Sequence, residues 1–337
     1  MFSENKEDEA VSNFRKYLQI RTVHPKVDYS ECVKFLQFQA ETLGLPSKIH
    51  YMTETEEKPV VIITLQGKKP ELQSLLLTSH MDVVPVYPEK WTYDPFLAYK
   101  DEQGNIYARG AQDMKCVGIQ YLEALRRYKN NNVILDRTIH VSFMPDEEIG
   151  GILGMAKFVE TDEFRSLNVG FALDEGAPSI DNGIPLFYGE RAVWQFYIRS
   201  TGTPGHASLL HDNTAAEKLI FVVNKILDWR TKEKLKLSQG MAIGEVTSVN
   251  MTMLEGGSQL NVVPPELSAG FDVRLAVDTD RRAMKDIITG WCHEAGEGIR
   301  LEDFKTNEQA TPTKLDDSNP WWLKFKSECD EMYVLFY

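Results

Sequence analysis

Three short apolar runs each give way at their C-terminal end to polar, acid-rich sequence, and this recurrence constrains the fold more than any other feature of the chain. Leu75, Leu76 and Leu77 read as a buried strand ending near His80. Ile139, Val141 and Phe143 alternate as a strand, and so do Val169, Phe171 and Leu173. Between the first two, residues 114–128 place Met114, Val117, Tyr121, Leu122, Leu125 and Tyr128 on one helical face. Helical spacing also covers 8–19 and 28–43, the second stopping at Gly44. Strands alternating with helices predict an α/β layer built on a mainly parallel sheet.

The pattern changes near Glu190. From there the sequence predicts strand 192–199, helix 214–230, strands 245–254 and 268–276, helix 280–295 and strand 298–304. That order is βαββαβ, the ferredoxin-like unit. A polar linker follows with Pro312, Asp316, Asp317 and Pro320, then a helix from Ser318–Asn319 carrying Trp321, Trp322, Phe325 and Cys329, and finally the apolar MYVLFY. The run TETEEK at 53–58 reads as a solvated turn. Two domains fit a chain of 337 residues.

Composition excludes several classes. A net charge of −13 repels phosphate backbones, which argues against nucleic-acid binding. No apolar run approaches the ~18 residues of a membrane span, and MFSENKEDEA lacks the apolar core of a secretory signal. Cys32, Cys116, Cys292 and Cys329 lie far apart without a CxxC pair, so reduced thiols in a cytoplasmic protein are expected. No Gly-rich phosphate loop follows a strand, which disfavours a nucleotide-binding α/β protein.

The chemistry sits at the strand ends, where open α/β sheets bind ligands. LLLTSHMD sets His80 and Asp82 two apart, on the same side of an extended segment. ARGAQDMK puts Asp113 at a helix start, FMPDEEIGG puts Asp146, Glu147 and Glu148 after a strand, and FALDEG does the same for Asp174 and Glu175. Carboxylates with one imidazole suit zinc, and Asp113 could bridge two ions. Adjacent Glu147 and Glu148 cannot easily point the same way, so one could ligate while the other acts as a base. Asp82 is placed to hold the second nitrogen of His80. Each motif also has a simpler account: a loop HxD, a helix cap at Asp113, and a helix N-terminus at 146–148. Their weight is joint.

In STGTPGHAS, Gly202, Pro204 and Gly205 make a tight turn that could present His206, although an ordinary loop histidine explains it too. EGG at 255–257 with Asn261, Val262, Val263 and Pro264 reads as a hairpin loop in which Asn261 could contact a ligand. His24, His50, His140, His211 and His293 have no acidic cluster at suitable spacing and read as surface or core residues.

SHMDVVP, ARGAQDMK, PDEEIGG, ALDEG and TGTPGHAS, with the βαββαβ unit, resemble the di-zinc aminoacylase/carboxypeptidase family of metallopeptidases. The resemblance implies a zinc-exopeptidase-like catalytic domain, a mainly parallel mixed sheet with helices on both faces, formed by 1–189 and 306–337. It implies a lid and dimerisation domain at 190–305. It assigns His80, Asp113 and Glu175 to one Zn2+, Asp113 and Glu148 to the other, and Glu147 as general base with Asp82 orienting His80. His206 would reach a partner subunit's active site, and Asn261 would contact substrate. The implied reaction is hydrolysis of an N-acyl-L-amino acid by a cytoplasmic homodimer. The alternatives are a dipeptidase or deacylase of the same family, or a catalytically dead dimerising partner. The family pattern ends in a further histidine ligand, whereas the last histidine here is His293. The expectation is therefore a C-terminally incomplete catalytic domain with a weakened second metal site and reduced activity.

Overall fold

A computed structural model describes residues 7–55, 57–179, 183–307, 309–332 and 334. Most of MYVLFY lies outside them. The chain divides into two compact units, residues 1–185 and 186–337.

The first unit opens with α1 (Glu9–Gln19), whose N-terminus is capped by the Asp8 carboxylate, and α2 (Ser30–Leu43), which ends where Gly44 takes a left-handed conformation at φ 62°. Five strands make up its main sheet: β1 (Ser47–Tyr51), β2 (Pro59–Leu65), β3 (Ser74–His80), β4 (Ile139–Met144) and β5 (Val169–Leu173). Helix α3 (Lys115–Asn130) lies between β3 and β4, and the short α4 (Met155–Phe158) and α5 (Asp162–Ser166) lie between β4 and β5. The sheet order is β1-β2-β4-β3-β5.

The sheet is mixed rather than mainly parallel. β3 runs parallel to both β4 and β5, while β1–β2 and β2–β4 are antiparallel. The reason is the short connection between β1 and β2: it can only turn the chain back, whereas parallel neighbours need a long crossover. Both faces are covered. Val61, Ile63, Leu77, Val141 and Phe143 pack against Tyr17, Leu36, Leu122 and other residues of α1–α3. On the opposite face Val60, Ile62 and Met144 meet Phe158, with Met155 and Phe164 from the short helices beside them. Alternate residues of β2 thus serve two cores, which explains its unbroken apolar run PVVIITL.

The second unit has β6 (Ala192–Thr201), α6 (Ala215–Ser238), β7 (Ser248–Gly256), β8 (Glu266–Leu275), α7 (Arg281–Ala295) and β9 (Ile299–Thr306). This is the expected βαββαβ order, with the first helix longer than its periodicity predicts. Its strands pair antiparallel in the order β7-β8-β6-β9. Ala192, Trp194, Phe196 and Ile198 alternate into a core with Leu219, Val222 and Ile226 of α6 and Ile288 and Cys292 of α7. A capping box of Thr214 and Glu217 starts α6. The last helix, α8 (Pro320–Glu331), starts where its sequence predicts and is capped by the Asn319 side chain.

Candidate metal centre

Parallel pairing of β4, β3 and β5 brings their C-terminal ends to one edge of the sheet. His80 is the last residue of β3, and the peptide leaving β4 carries Glu147 and Glu148. The one leaving β5 carries Glu175. Asp113 stands just before α3, whose N-cap is Met114, so it is not the helix cap. Within this edge one ligand atom each from His80, Asp113 and Glu175 lies within 4.8 Å of the others, and among the described residues this is the one such group of three.

The imidazole is nearly buried and its orientation is fixed. His80 Nδ1 donates to the main-chain oxygen of Asp82 at 2.9 Å. The Asp82 carboxylate stands farther off, at 3.7 Å. Nε2 then faces the carboxylates, 3.0 Å from Asp113 Oδ1 and 3.4 Å from Glu175 Oε1. Glu147 Oε2 lies 3.9 Å from the same nitrogen, outside the three-way cluster.

Asp82 has a further task that its spacing from His80 does not reveal. Its fully buried carboxylate accepts the backbone N–H of Glu147 on one oxygen and that of Glu148 on the other, both at 3.1 Å. His24 Nε2 closes the network at 2.7 Å. His24, read from the sequence as a surface or core residue, is thus a buried partner of this centre. The two residues are 58 positions apart, so no local pattern could have paired them. His140 and His50 lie away from the cluster, His140 on Thr64 and His50 against the ring of Phe158.

The electrostatics are those of a site short of positive charge. Burial opposes charging His80, but hydrogen bonds and attraction from Glu175, Asp82 and Asp113 outweigh it and push its pKa up to about 10. Burial, together with repulsion among neighbouring carboxylates, raises Glu147, Glu148 and Glu175 above the usual carboxylate range, against the pull of His80. A divalent cation fits this donor set: one imidazole nitrogen held by a hydrogen bond on its other side, and carboxylates with unneutralised charge.

A pH-dependent consequence follows. In the metal-free protein His80 keeps its proton up to pH about 10. A cation can bind Nε2 only by displacing that proton, so binding should release about one proton at pH 8, and affinity should fall as pH falls. Calorimetric titration in buffers of differing ionisation enthalpy measures the release; none at pH 8 would contradict the assignment.

In the second unit, the short strand Gly205–His206 pairs with Val262–Val263, and the N–H of Ala207 donates to Asn261 O at 3.0 Å. The two predicted residues of this unit, His206 and Asn261, are therefore neighbours, and both are exposed. The Ser208 N–H donates to His206 Nδ1, which assigns that ring's hydrogen to Nε2.

Comparison with known proteins matches residues 76–334 to the model of peptidase family M20/M25/M40. The chain belongs to that family. It is 49% identical to human aminoacylase-1 over 341 residues, covering 98% of this chain and 82% of the human protein. Among solved structures it resembles aminopeptidase PepT of Bacillus cereus, with a TM-score of 0.67 and 17% identity, covering 97% of this chain and 83% of that one. It also resembles a dinuclear metal-binding M20 peptidase of Bacillus subtilis, with a TM-score of 0.62 and 17% identity, covering 97% and 80%. As an M20/M25/M40 member the chain is a metal-dependent hydrolase, and the His80 cluster falls inside the matched region.

Proposed function

We propose that this protein hydrolyses N-acyl-L-amino acids to a carboxylate and a free L-amino acid, using zinc held by His80, Asp113 and Glu175. The observation that carries the reading is the convergence of those three side chains with Glu147 beside them. Its substrate class follows the similarity to aminoacylase-1.

A divalent ion bound there supplies Lewis acidity toward the amide carbonyl and lowers the pKa of water. The chain's own residues do the rest. Glu147, its pKa raised by burial and by the neighbouring carboxylates, takes a proton from the attacking water and delivers it to the leaving amine. Asp82 fixes the Glu147–Glu148 turn through two backbone N–H groups, and its main-chain oxygen fixes the His80 ring. Glu148 and Asp113 would be the oxygen donors toward a second ion.

The domain reading assigns 1–189 and 306–337 to catalysis and 190–305 to a lid through which two copies associate. His206 then serves the active site of the second copy, where an imidazole N–H stabilises the developing oxyanion, and Asn261 contacts substrate. Four cysteines without disulfides accord with a cytoplasmic protein.

The test is release of free amino acid from an N-acetylated aliphatic L-amino acid by zinc-loaded protein. Chelation should abolish it and zinc should restore it; no hydrolysis by the loaded protein overturns the reading. For the dimer, mixing Glu147→Gln with His206→Ala chains should restore activity in hybrids. Confirmed subunit exchange without rescue would refute sharing of the site.

A further inference from the structure

We propose that Lys58 is a positioning residue for the general base, acting through Asp146. The inference rests on the reading of Glu147 as that base.

The turn that presents Glu147 and Glu148 begins at Asp146, which takes φ 63° and ψ 25°. This left-handed conformation is uncommon outside glycine and persists only where the surroundings hold it. The Asp146 carboxylate is almost wholly buried and receives Lys58 Nζ at 2.7 Å on Oδ2 and 2.9 Å on Oδ1. Tyr29 OH donates to Oδ1 at 2.8 Å and stands 3.0 Å from the Asp146 N–H, which donates to it. Lys58 also sits over the Tyr29 ring at 5.6 Å.

The main-chain oxygen of Asp146 in turn accepts the N–H of Gly151 at 2.8 Å, closing the loop that follows Glu148. The Glu147–Ile149 turn is thus clamped from two directions. Asp82 holds its N–H groups from within, and Lys58 with Tyr29 holds the residue that starts it. Lys58 lies 88 positions away, just before β2, and among the described residues it reaches no metal-ligating side chain. It therefore acts on where the Glu147–Glu148 turn stands, not on the His80, Asp113 and Glu175 cluster. Small displacements of a base from its reacting proton cost large factors in rate.

The experiment compares Lys58→Met, Lys58→Arg and the unchanged zinc-loaded protein for kcat, KM and zinc affinity with an N-acetylated aliphatic amino acid. Lys58→Met should lower kcat about tenfold or more, with KM and zinc affinity within about twofold. Lys58→Arg, which keeps the charge, should recover most of the loss. An unaltered kcat in folded Lys58→Met overturns the proposal. So does a joint fall in kcat, zinc affinity and Tm that Lys58→Arg does not relieve. If Lys58→Met fails to fold, Tyr29→Phe decides: it keeps the ion pair but removes the hydroxyl bonded to Asp146, and an unchanged kcat there refutes the clamp. Full activity in Glu147→Gln would instead sink the assignment of the base. An enzyme that needs Glu147 yet ignores Lys58 and Tyr29 sinks this inference alone.

Discussion

Glu147→Gln should lower turnover by about two to four orders of magnitude while leaving zinc content nearly unchanged. The substitution keeps the size of the side chain and the backbone N–H bonded to Asp82, so the turn keeps its anchor. What it removes is the carboxylate, whose Oε2 lies 3.9 Å from His80 Nε2 and outside the three-residue cluster. A side chain that binds no ion can lose its charge without unseating one. Hydrolysis within a few-fold of the unchanged protein, or loss of zinc measured by atomic absorption, would show that Glu147 is not the base.

His80→Ala should remove tight zinc binding and, with it, hydrolysis. The cluster would keep only the carboxylates of Asp113 and Glu175, and carboxylates alone compete poorly with water for zinc. Losing an outer-shell partner of a ligating histidine typically costs 10- to 100-fold in affinity, so losing the imidazole itself should cost at least about a hundredfold. The unchanged protein should show one tight zinc by calorimetric titration. A second ion would rely on Asp113 and Glu148, oxygen donors whose mutual repulsion adds to the effect of burial in raising Glu148. Tight zinc binding in His80→Ala, or two equally tight ions in the unchanged protein, would contradict this ligand set.

The sequence made the chemistry legible where it was local. HMD, DMK, DEE and DEG each stand at an element end, and His80, Asp113 and Glu175 meet as the strand pattern implies. The βαββαβ order was legible too, because one face of its sheet is buried and Ala192–Ile198 alternate cleanly. What escaped is non-local. β1 and β2 were not read as strands: β2 is apolar on both faces and lacks alternation, and β1 alternates only weakly. With them went the two antiparallel pairings that make the sheet mixed.

Residues 53–58 were read as a solvated turn, yet Lys58 leaves that run to meet a buried carboxylate. His24 and Asp82 show the same limit. A hydrogen bond between residues far apart leaves no period and no spacing, only two polar side chains that must find partners once buried.

Convergence on a common sheet edge would also make a bound ion a reversible fastener between distant stretches of chain. His80 and Asp113 are 33 positions apart and Glu175 is farther still, so the donors meet only once β3, the start of α3 and β5 have come together. An extended chain offers the ion no comparable cradle. A divalent cation bound there would therefore select the assembled sheet and hold it by mass action, by RT ln(1 + [M]/Kd) over the empty protein, with [M] the free metal concentration. Melting temperature would then be a readout of free metal, and a cell that withholds the metal would withdraw catalysis and mechanical cohesion of the sheet edge together.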